Sequence, residues 1–346
     1  MRLKITSTAL IFGLVVCSTS QAATITENDT SRCSVTLEGE IGAGDAQALY
    51  QIAERKGLLE PPDSGEPSNS PENALCLNSL GGSYLEGRIM AEIVHRYGIT
   101  TRVEKDAVCF SACAFLFMAG RTRGYETDGT SRYLDAKGRL GFHAPYLQLD
   151  ENEVFSGAEL TSRMTTLNKI LAEFIEFGSY SSIFDHRPMF SLALLGQMLS
   201  AGPDEMFEVR TIEDASRWGI SLSGIPERRK IDENGLITAC LNFQAWMVDK
   251  SSVDENYDPF PRIGEKDRRI SGSNSKNWLR IDTGGMEEKF CLIENPGGHT
   301  SGLSICSKDD FNGLSYGDCS QVYGIWVPWY YSLHPTTNIR SIAAAH

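Results

Sequence analysis

The segment Cys109-Phe110-Ser111-Ala112-Cys113-Ala114-Phe115-Leu116-Phe117-Met118-Ala119-Gly120 limits the fold more than any other. It is apolar except for one hydroxyl, so it must be covered on nearly every side, and Ser111 goes in with it. Two flanking pieces can cover it. Upstream, Leu77-Asn78-Ser79-Leu80-Gly81-Gly82 reads as a strand end running into a glycine pair. Downstream, Leu140-Gly141-Phe142-His143-Ala144-Pro145 reads as an apolar strand ending on a histidine. In that order the three pieces can supply backbone donors, a nucleophile and a general base.

Acyl transfer needs those three things together. A hydroxyl must lose its proton at the moment of attack, so a base has to lie within hydrogen-bond reach. Backbone N–H groups must face the oxygen that becomes negative, and losing one such donor costs about 3 kcal/mol of barrier. A glycine pair can turn sharply with its amides exposed. A serine opening a helix is favoured by the positive end of the helix dipole. A histidine has the near-neutral pKa the base role requires. Each signal also has a plainer explanation: a small residue packed in a helix, a hydrogen-bonded histidine, a tight turn. Their order along the chain is what joins them.

Around these pieces strands and helices alternate from Cys33 to about Ile225. Ser34 to Ile41 alternates apolar and polar, as a strand does. Asp45 to Lys56 is helical, with Ala46, Leu49, Ile52 and Ala53 at helical spacing. The proline- and serine-rich stretch 59–73 reads as a surface loop. Ala74 to Ser79 is the next strand, followed by a helix with Leu85, Ile89, Ile93 and Tyr97 on one stripe. Thr100 to Val103 and Leu140 to His143 are further strands, and the polar stretch Arg121 to Arg139 reads as a surface excursion. Helices are expected over Ala158–Phe177, with Leu160, Met164, Leu167, Leu171 and Phe174 inward, and over Met189–Leu199. A last short helix starts at Thr211, with Asp214 at capping-box spacing, and ends before Gly219. This alternation implies βαβ units and an α/β fold.

The character changes after Pro226-Glu227-Arg228-Arg229-Lys230. The remainder is rich in Gly, Asn and Asp, and apolar runs at 237–247, 278–282, 289–293, 302–306 and 322–332 read as strands. The organisation is therefore a leader over 1–23, an α/β domain over 31–225 and a small cystine-containing β domain over 231–346. Trp326, Trp329, Tyr330 and Tyr331 fit the packing of that small domain, with a sugar- or peptide-binding surface as the other reading.

Arg2 and Lys4 precede the apolar run Ala9–Val16, and Ser18-Thr19-Ser20-Gln21-Ala22-Ala23 comes after it with small residues suited to cleavage near Ala22 or Ala23. The product is expected to be exported to the periplasm. Lipid anchoring at Cys17 is the less favoured variant, because Val16 stands where that site wants a small residue. The run is too short to span a bilayer, and no later stretch is long enough, so no transmembrane segment is expected. The chain's net charge of −13 becomes −15 once Arg2 and Lys4 leave, which excludes nonspecific nucleic-acid and anionic-lipid binding.

Eight of the nine cysteines lie beyond the leader, four in each half: Cys33, Cys76, Cys109 and Cys113, then Cys240, Cys291, Cys306 and Cys319. In an exported chain they are expected as disulfides, with three connectivities open in each half. A bridge from Cys109 or Cys113 to Cys76 would lock the wall beside Ser111. No paired C-x-x-C spacing is present, so no metal is expected.

The arrangement resembles the proteolytic subunit of the Clp protease and, more broadly, the ClpP/crotonase superfamily, including exported ClpP-like proteins with a Cys-x-Ser-Ala-Cys segment. The resemblance covers about Val35 to Gly219. Asn78-Ser79-Leu80-Gly81-Gly82 is similar to the family's Asn-Ser-Pro-Gly-Gly, with leucine in place of proline. Ser111 with Gly120 matches the nucleophile-to-glycine spacing, Phe142-His143-Ala144-Pro145 resembles Ile-His-Gln-Pro, and Glu213 to Ile220 resembles the closing helix. The resemblance implies Ser111 as nucleophile, His143 as base, and the N–H groups of Gly81 and Ala112 as oxyanion hole. The family's aspartate falls on Phe207, and Glu208 is reached by one register shift. The segment between Gly120 and His143 is longer than in the Clp subunit. A Ser–His dyad oriented by some other acceptor is also chemically sound.

The function that the resemblance implies is that of a serine hydrolase, specifically a peptidase on peptide or protein substrates, with no cofactor and a tendency to form homo-oligomers. The alternative is a catalytically inactive ClpP-like binding or assembly module, favoured by the missing acid, Leu80 and the added domain. An acyl-CoA enzyme of the crotonase type fits an exported chain less well, because acyl-CoA is absent there.

Overall fold

The computed structural model describes residues 22–30, 32–59, 74–122, 129–144, 154–180, 188–202, 205–251, 270–272, 278–283, 290–294, 298–309, 314–316 and 324–344. The expected leader, Cys17 and most of the loop expected at 59–73 lie outside them.

Strand β1 (Thr24–Thr30) runs antiparallel to β2 (Cys33–Glu38), whose Val35 and Leu37 are fully buried, as the alternation requires. Helix α1 (Asp45–Arg55) buries Ala46, Leu49, Ile52 and Ala53, the stripe expected of it. Strand β3 (Ala74–Asn78) lies parallel to β2, and helix α2 (Tyr84–Tyr97) comes next with Ser83 as its cap and Gly98 as its left-handed stop. The buried face of α2 is Gly87, Met90, Ala91 and Val94; the expected stripe of Leu85, Ile89, Ile93 and Tyr97 is exposed or half-buried instead. Small residues face inward because Gly87 meets α3, where a Cβ would lie 3.1 Å from the Ala112 carbonyl oxygen.

Strand β4 (Thr100–Val103) continues the parallel sheet, and β5 (Val108–Phe110) leads through Ser111 into helix α3 (Ala112–Met118), whose seven residues are all buried. The stretch from 121 to 139 corrects an expectation. Besides the short pair β6 (Arg121–Thr122) and β7 (Gly129–Thr130), it contributes β8 (Arg132–Asp135), an interior strand of the main sheet. Charge hides this strand from a hydropathy reading. Arg132 is 1% exposed, and its guanidinium is met by the carbonyls of Met118, Met189 and Gly219. Tyr133 lies beneath the Arg102 guanidinium.

Strand β9 (Arg139–Phe142) pairs parallel with β5. Helix α4 (Gly157–Gly178) starts on a Ser156–Glu159 capping box, yet buries only Phe174, Phe177 and Gly178. Leu160 and Met164 are exposed and Leu167 and Leu171 half-buried, so the stripe expected inward covers no core over most of its length. Helix α5 (Leu192–Ser200), the short strand β10 (Phe207–Glu208) antiparallel to β9, helix α6 (Ile212–Arg217) and strand β11 (Ser221–Ser223) complete this part. The Thr211–Asp214 capping box is present. The main sheet runs β1-β2-β3-β4-β8-β11, and a second runs β10-β9-β5. Only β1 and β10 are antiparallel to their neighbours in these two sheets, so the chain is a mixed α/β protein.

Beyond β12 (Arg229–Lys230), the run at 237–247 is helical rather than a strand: α7 (Glu233–Met247), capped by Asp232, buries Cys240, Phe243 and Trp246. Its apolar residues fall on every side, and a helix sunk in a core looks like a buried strand to a periodicity reading. A sheet comes next, built from β13 (Ile270–Gly272), β14 (Trp278–Asp282), β15 (Phe290–Glu294), β17 (Gly302–Asp309), β18 (Leu314–Tyr316) and β19 (Ile325–Pro328), while β16 (His299–Thr300) pairs with β12. Trp329, Tyr330 and Tyr331 are buried in a 3-10 turn and Trp326 is exposed. The two parts share one hydrophobic core, and the C-terminal segment returns to the first: Ile212 N–H donates to Thr337 O and Leu222 N–H to Tyr330 Oη. No helix among the described residues is long and apolar enough to cross a membrane.

Disulfides join Cys33 to Cys76, Cys109 to Cys113, and Cys240 to Cys291. Each of these three pairs, among the described residues, lies within one half of the chain. Cys76 is taken by Cys33, which corrects the idea of a bridge from it to the Ser111 segment.

Candidate active site

The ends of β3, β5 and β9 lie side by side. Ser79 bridges to Cys109, its N–H donating to Val108 O at 2.7 Å and its carbonyl accepting from Phe110 N–H at 3.1 Å. Phe110 is in register with Gly141, and Ser111 N–H donates to Gly141 O at 3.1 Å. Parallel pairing brings the glycine pair, Ser111 and the strand ending at His143 to one edge, the carboxyl ends of the strands.

Ser111 sits at φ 57° and ψ −122°, between a strand and the first residue of a helix. That region of backbone space costs a side-chain-bearing residue about 1–3 kcal/mol, and such strain gathers at functional turns. A sharp strand-to-helix turn of this kind pushes a serine hydroxyl out above the sheet. Two contacts hold the turn. The Cys109–Cys113 disulfide closes a ring around Ser111, with Cα atoms 5.2 Å apart. Gly81, at φ 104°, is pressed against it: a Cβ there would lie 2.7 Å from Ser111 Cβ and 2.8 Å from Phe110 O. Only glycine fits.

The donors are arranged differently from expectation. The Gly81 N–H points at Ser79 Oγ, 3.0 Å away, a local serine turn, so this amide is already satisfied. Its carbonyl accepts from Ile41 N–H at 2.7 Å. The next amide, of Gly82, has no hydrogen-bond partner among the described residues. Ala112 N–H belongs to the first turn of α3, where no intrahelical carbonyl is available to it. Beside the glycine pair runs a cleft of about 450 Å³ lined by Asn78, Ser79, Leu80, Gly81, Gly82 and Glu40, with Leu80 72% exposed at its rim.

His143 comes directly after β9 and is half-buried. Its Nδ1 lies 2.8 Å from Ala144 O. A carbonyl only accepts, so Nδ1 carries the proton of the neutral ring and Nε2 carries the lone pair. No hydrogen bond joins Ser111 Oγ to His143 among the described residues. Glu208 is not brought to the histidine. It stands opposite Gly141, with Oε1 2.5 Å from Arg139 Nη2 and Oε2 3.5 Å from Arg210 Nη2. Two guanidiniums hold this carboxylate, and no hydrogen bond joins it to His143 among the described residues.

Sequence reasoning missed the Ser79 turn and the ring around Ser111. The cysteines at i±2 from the serine were the available signal for the second. For metal, the cluster Cys33, Cys76 and Glu104 has two of its three ligands bound to each other as a disulfide. The chain matches no protein-family model and no curated protein.

Proposed function

We propose that the protein is an exported serine hydrolase of ClpP/crotonase-like architecture that cleaves peptide or protein amides in the periplasm. The observation that carries this reading is the conformation of Ser111, a non-glycine residue at φ 57° on a strand-to-helix turn, clamped by a disulfide and by Gly81. A serine serving only as packing has no reason to occupy that turn. His143 Nε2 takes the Ser111 proton as Oγ attacks the substrate carbonyl, then returns it to the leaving amine. Water, deprotonated by the same nitrogen, releases the acyl group. The Ala144 carbonyl holds the ring in the tautomer this needs. Ala112 N–H, at the positive end of α3, faces developing negative charge. Substrate binding must bring Oγ within reach of Nε2, a contact often long without substrate.

A fluorophosphonate probe tests the reading. Labelling of the native protein that disappears in both Ser111→Ala and His143→Ala supports it; an unlabelled native protein refutes it.

A second reading, a catalytically inactive binding or assembly module, is favoured by two observations. The Gly81 amide is already occupied by Ser79, and the apolar stripe of α4 is uncovered over its first half. In that case the native protein stays unlabelled.

A further inference from the structure

Asp45, the first residue of α1, is 3% exposed. Its Oδ2 accepts the N–H of Gly42 at 2.7 Å and the N–H of Ala23 at 3.0 Å. No Lys, Arg or His pairs with it among the described residues. A carboxylate so far from water is costly unless a cation meets it, and peptide amides bring only partial positive charge. The sequence offers a full one at the same place. Ser20-Gln21-Ala22 puts small residues at the first and third positions before the Ala22–Ala23 bond, the pattern a leader peptidase reads, whereas cleavage after Ala23 would put Gln21 third.

We propose that a leader peptidase hydrolyses the Ala22–Ala23 bond and that the freed α-ammonium of Ala23 is the counter-ion of Asp45. Water adds across the peptide bond, the C–N bond breaks, and Ala22 leaves with the leader as a carboxylate. The Ala23 nitrogen takes up protons and is an ammonium at neutral pH. It already stands at ion-pair distance from Oδ2, so a neutral donor becomes a charged one without backbone movement. Cleavage also removes Ala22, whose Cα lies 3.2 Å from where a Cβ on Gly42 would stand.

The pair braces the floor of the glycine loop. Gly42 is fastened to Asp45, and its neighbour Ile41 donates to Gly81 O at 2.7 Å and accepts from Ser83 N–H at 2.8 Å. The ion pair forms whether or not Ser111 reacts, so the test uses no activity.

The full chain with its leader is produced in a secreting bacterial host and its amino terminus determined by sequencing and intact mass. Ala23 is expected as the first residue. Thr24 as the first residue, or a retained leader, overturns the proposal. The Ala23-initiated chain is then compared in denaturant with one that keeps residues 20–22, each with and without Asp45→Asn. The extension is expected to lower the folding equilibrium constant roughly tenfold or more when Asp45 is present and to change nothing in Asp45→Asn. No loss, or equal loss in both backgrounds, overturns it. Should Asp45→Asn not fold, acylation of the Ala23 amine at neutral pH replaces the cycle. It is expected to be about tenfold or more slower in the native chain than in the unfolded one; equal rates overturn the ion pair.

Discussion

Gly81→Ala offers the sharpest test of how the Ser111 turn is held. Two costs add at this position. A side chain at positive φ costs about 1–2 kcal/mol. Crowding is added because two of the three atoms met, Phe110 O at 2.8 Å and Ala112 N at 3.2 Å, belong to the backbone and cannot rotate aside; overpacking of this kind costs about 1–3 kcal/mol more. Two other glycines separate the terms. Gly44 shares the positive φ, at 94°, but has nothing within 4 Å, so Gly44→Ala reports conformational cost alone. Gly196 lies exposed inside α5 with open space around it, so Gly196→Ala is expected to stabilise by about 0.5–1 kcal/mol. Urea unfolding gives the three differences from midpoints at constant slope. The expected order is a gain for Gly196→Ala, a modest loss for Gly44→Ala, and a loss at least about 1 kcal/mol larger for Gly81→Ala. If Gly81→Ala costs no more than Gly44→Ala, the glycine loop is not seated on Ser111 and the clamp argument fails.

Arg132→Met leaves the carbonyls of Met118, Met189 and Gly219 without their donor, and a loss of about 3 kcal/mol is expected by thermal or urea unfolding. Arg132→Lys should recover little of it, because an ammonium cannot spread its donors as a planar fork does. The Tyr84 hydroxyl is buried with no hydrogen-bond partner among the described residues, and burial pushes its pKa up to about 12. Tyr84→Phe should therefore be neutral or stabilising by up to about 1 kcal/mol, and a clear loss would reveal a missed hydrogen bond. Loop size orders the disulfides: unlinking Cys33–Cys76, separated by 43 residues, should cost about 4 kcal/mol, against about 2 for Cys109–Cys113, separated by 4. Paired cysteine-to-alanine variants compared in urea check the order, and a reversed one refutes it.

The elements legible in the sequence are those in which local pattern and burial agree. β2 alternates cleanly, α1 presents its stripe to the sheet, and the Thr211 cap is written in two residues. Pattern misleads where tertiary structure reverses the usual meaning of a residue. β8 is central although it begins with an arginine, because three carbonyls replace the water around its guanidinium. The stripe of α4 is sound as a pattern, but nothing among the described residues covers its first half, and hydropathy carries no information about what lies opposite.

The candidate site divides along the same line. Parallel pairing makes the meeting of the glycine pair, Ser111 and the end of β9 a consequence of strand order, so proximity is readable from the sequence. Hydrogen-bond direction is not. Whether the Gly81 N–H faces a substrate or Ser79 Oγ turns on one peptide plane, and the Glu208 carboxylate is turned to the Arg139 guanidinium. Both are decided by neighbours far away in sequence: Ile41, 40 positions before Gly81, through its 2.7 Å bond to the Gly81 carbonyl, and Arg139, 69 positions before Glu208. The same Ile41 adjoins Gly42 and so Asp45. The direction in which the glycine loop offers its amides is thus set on the side of the molecule where Ala23 meets Asp45, while the serine is set by its own disulfide ring.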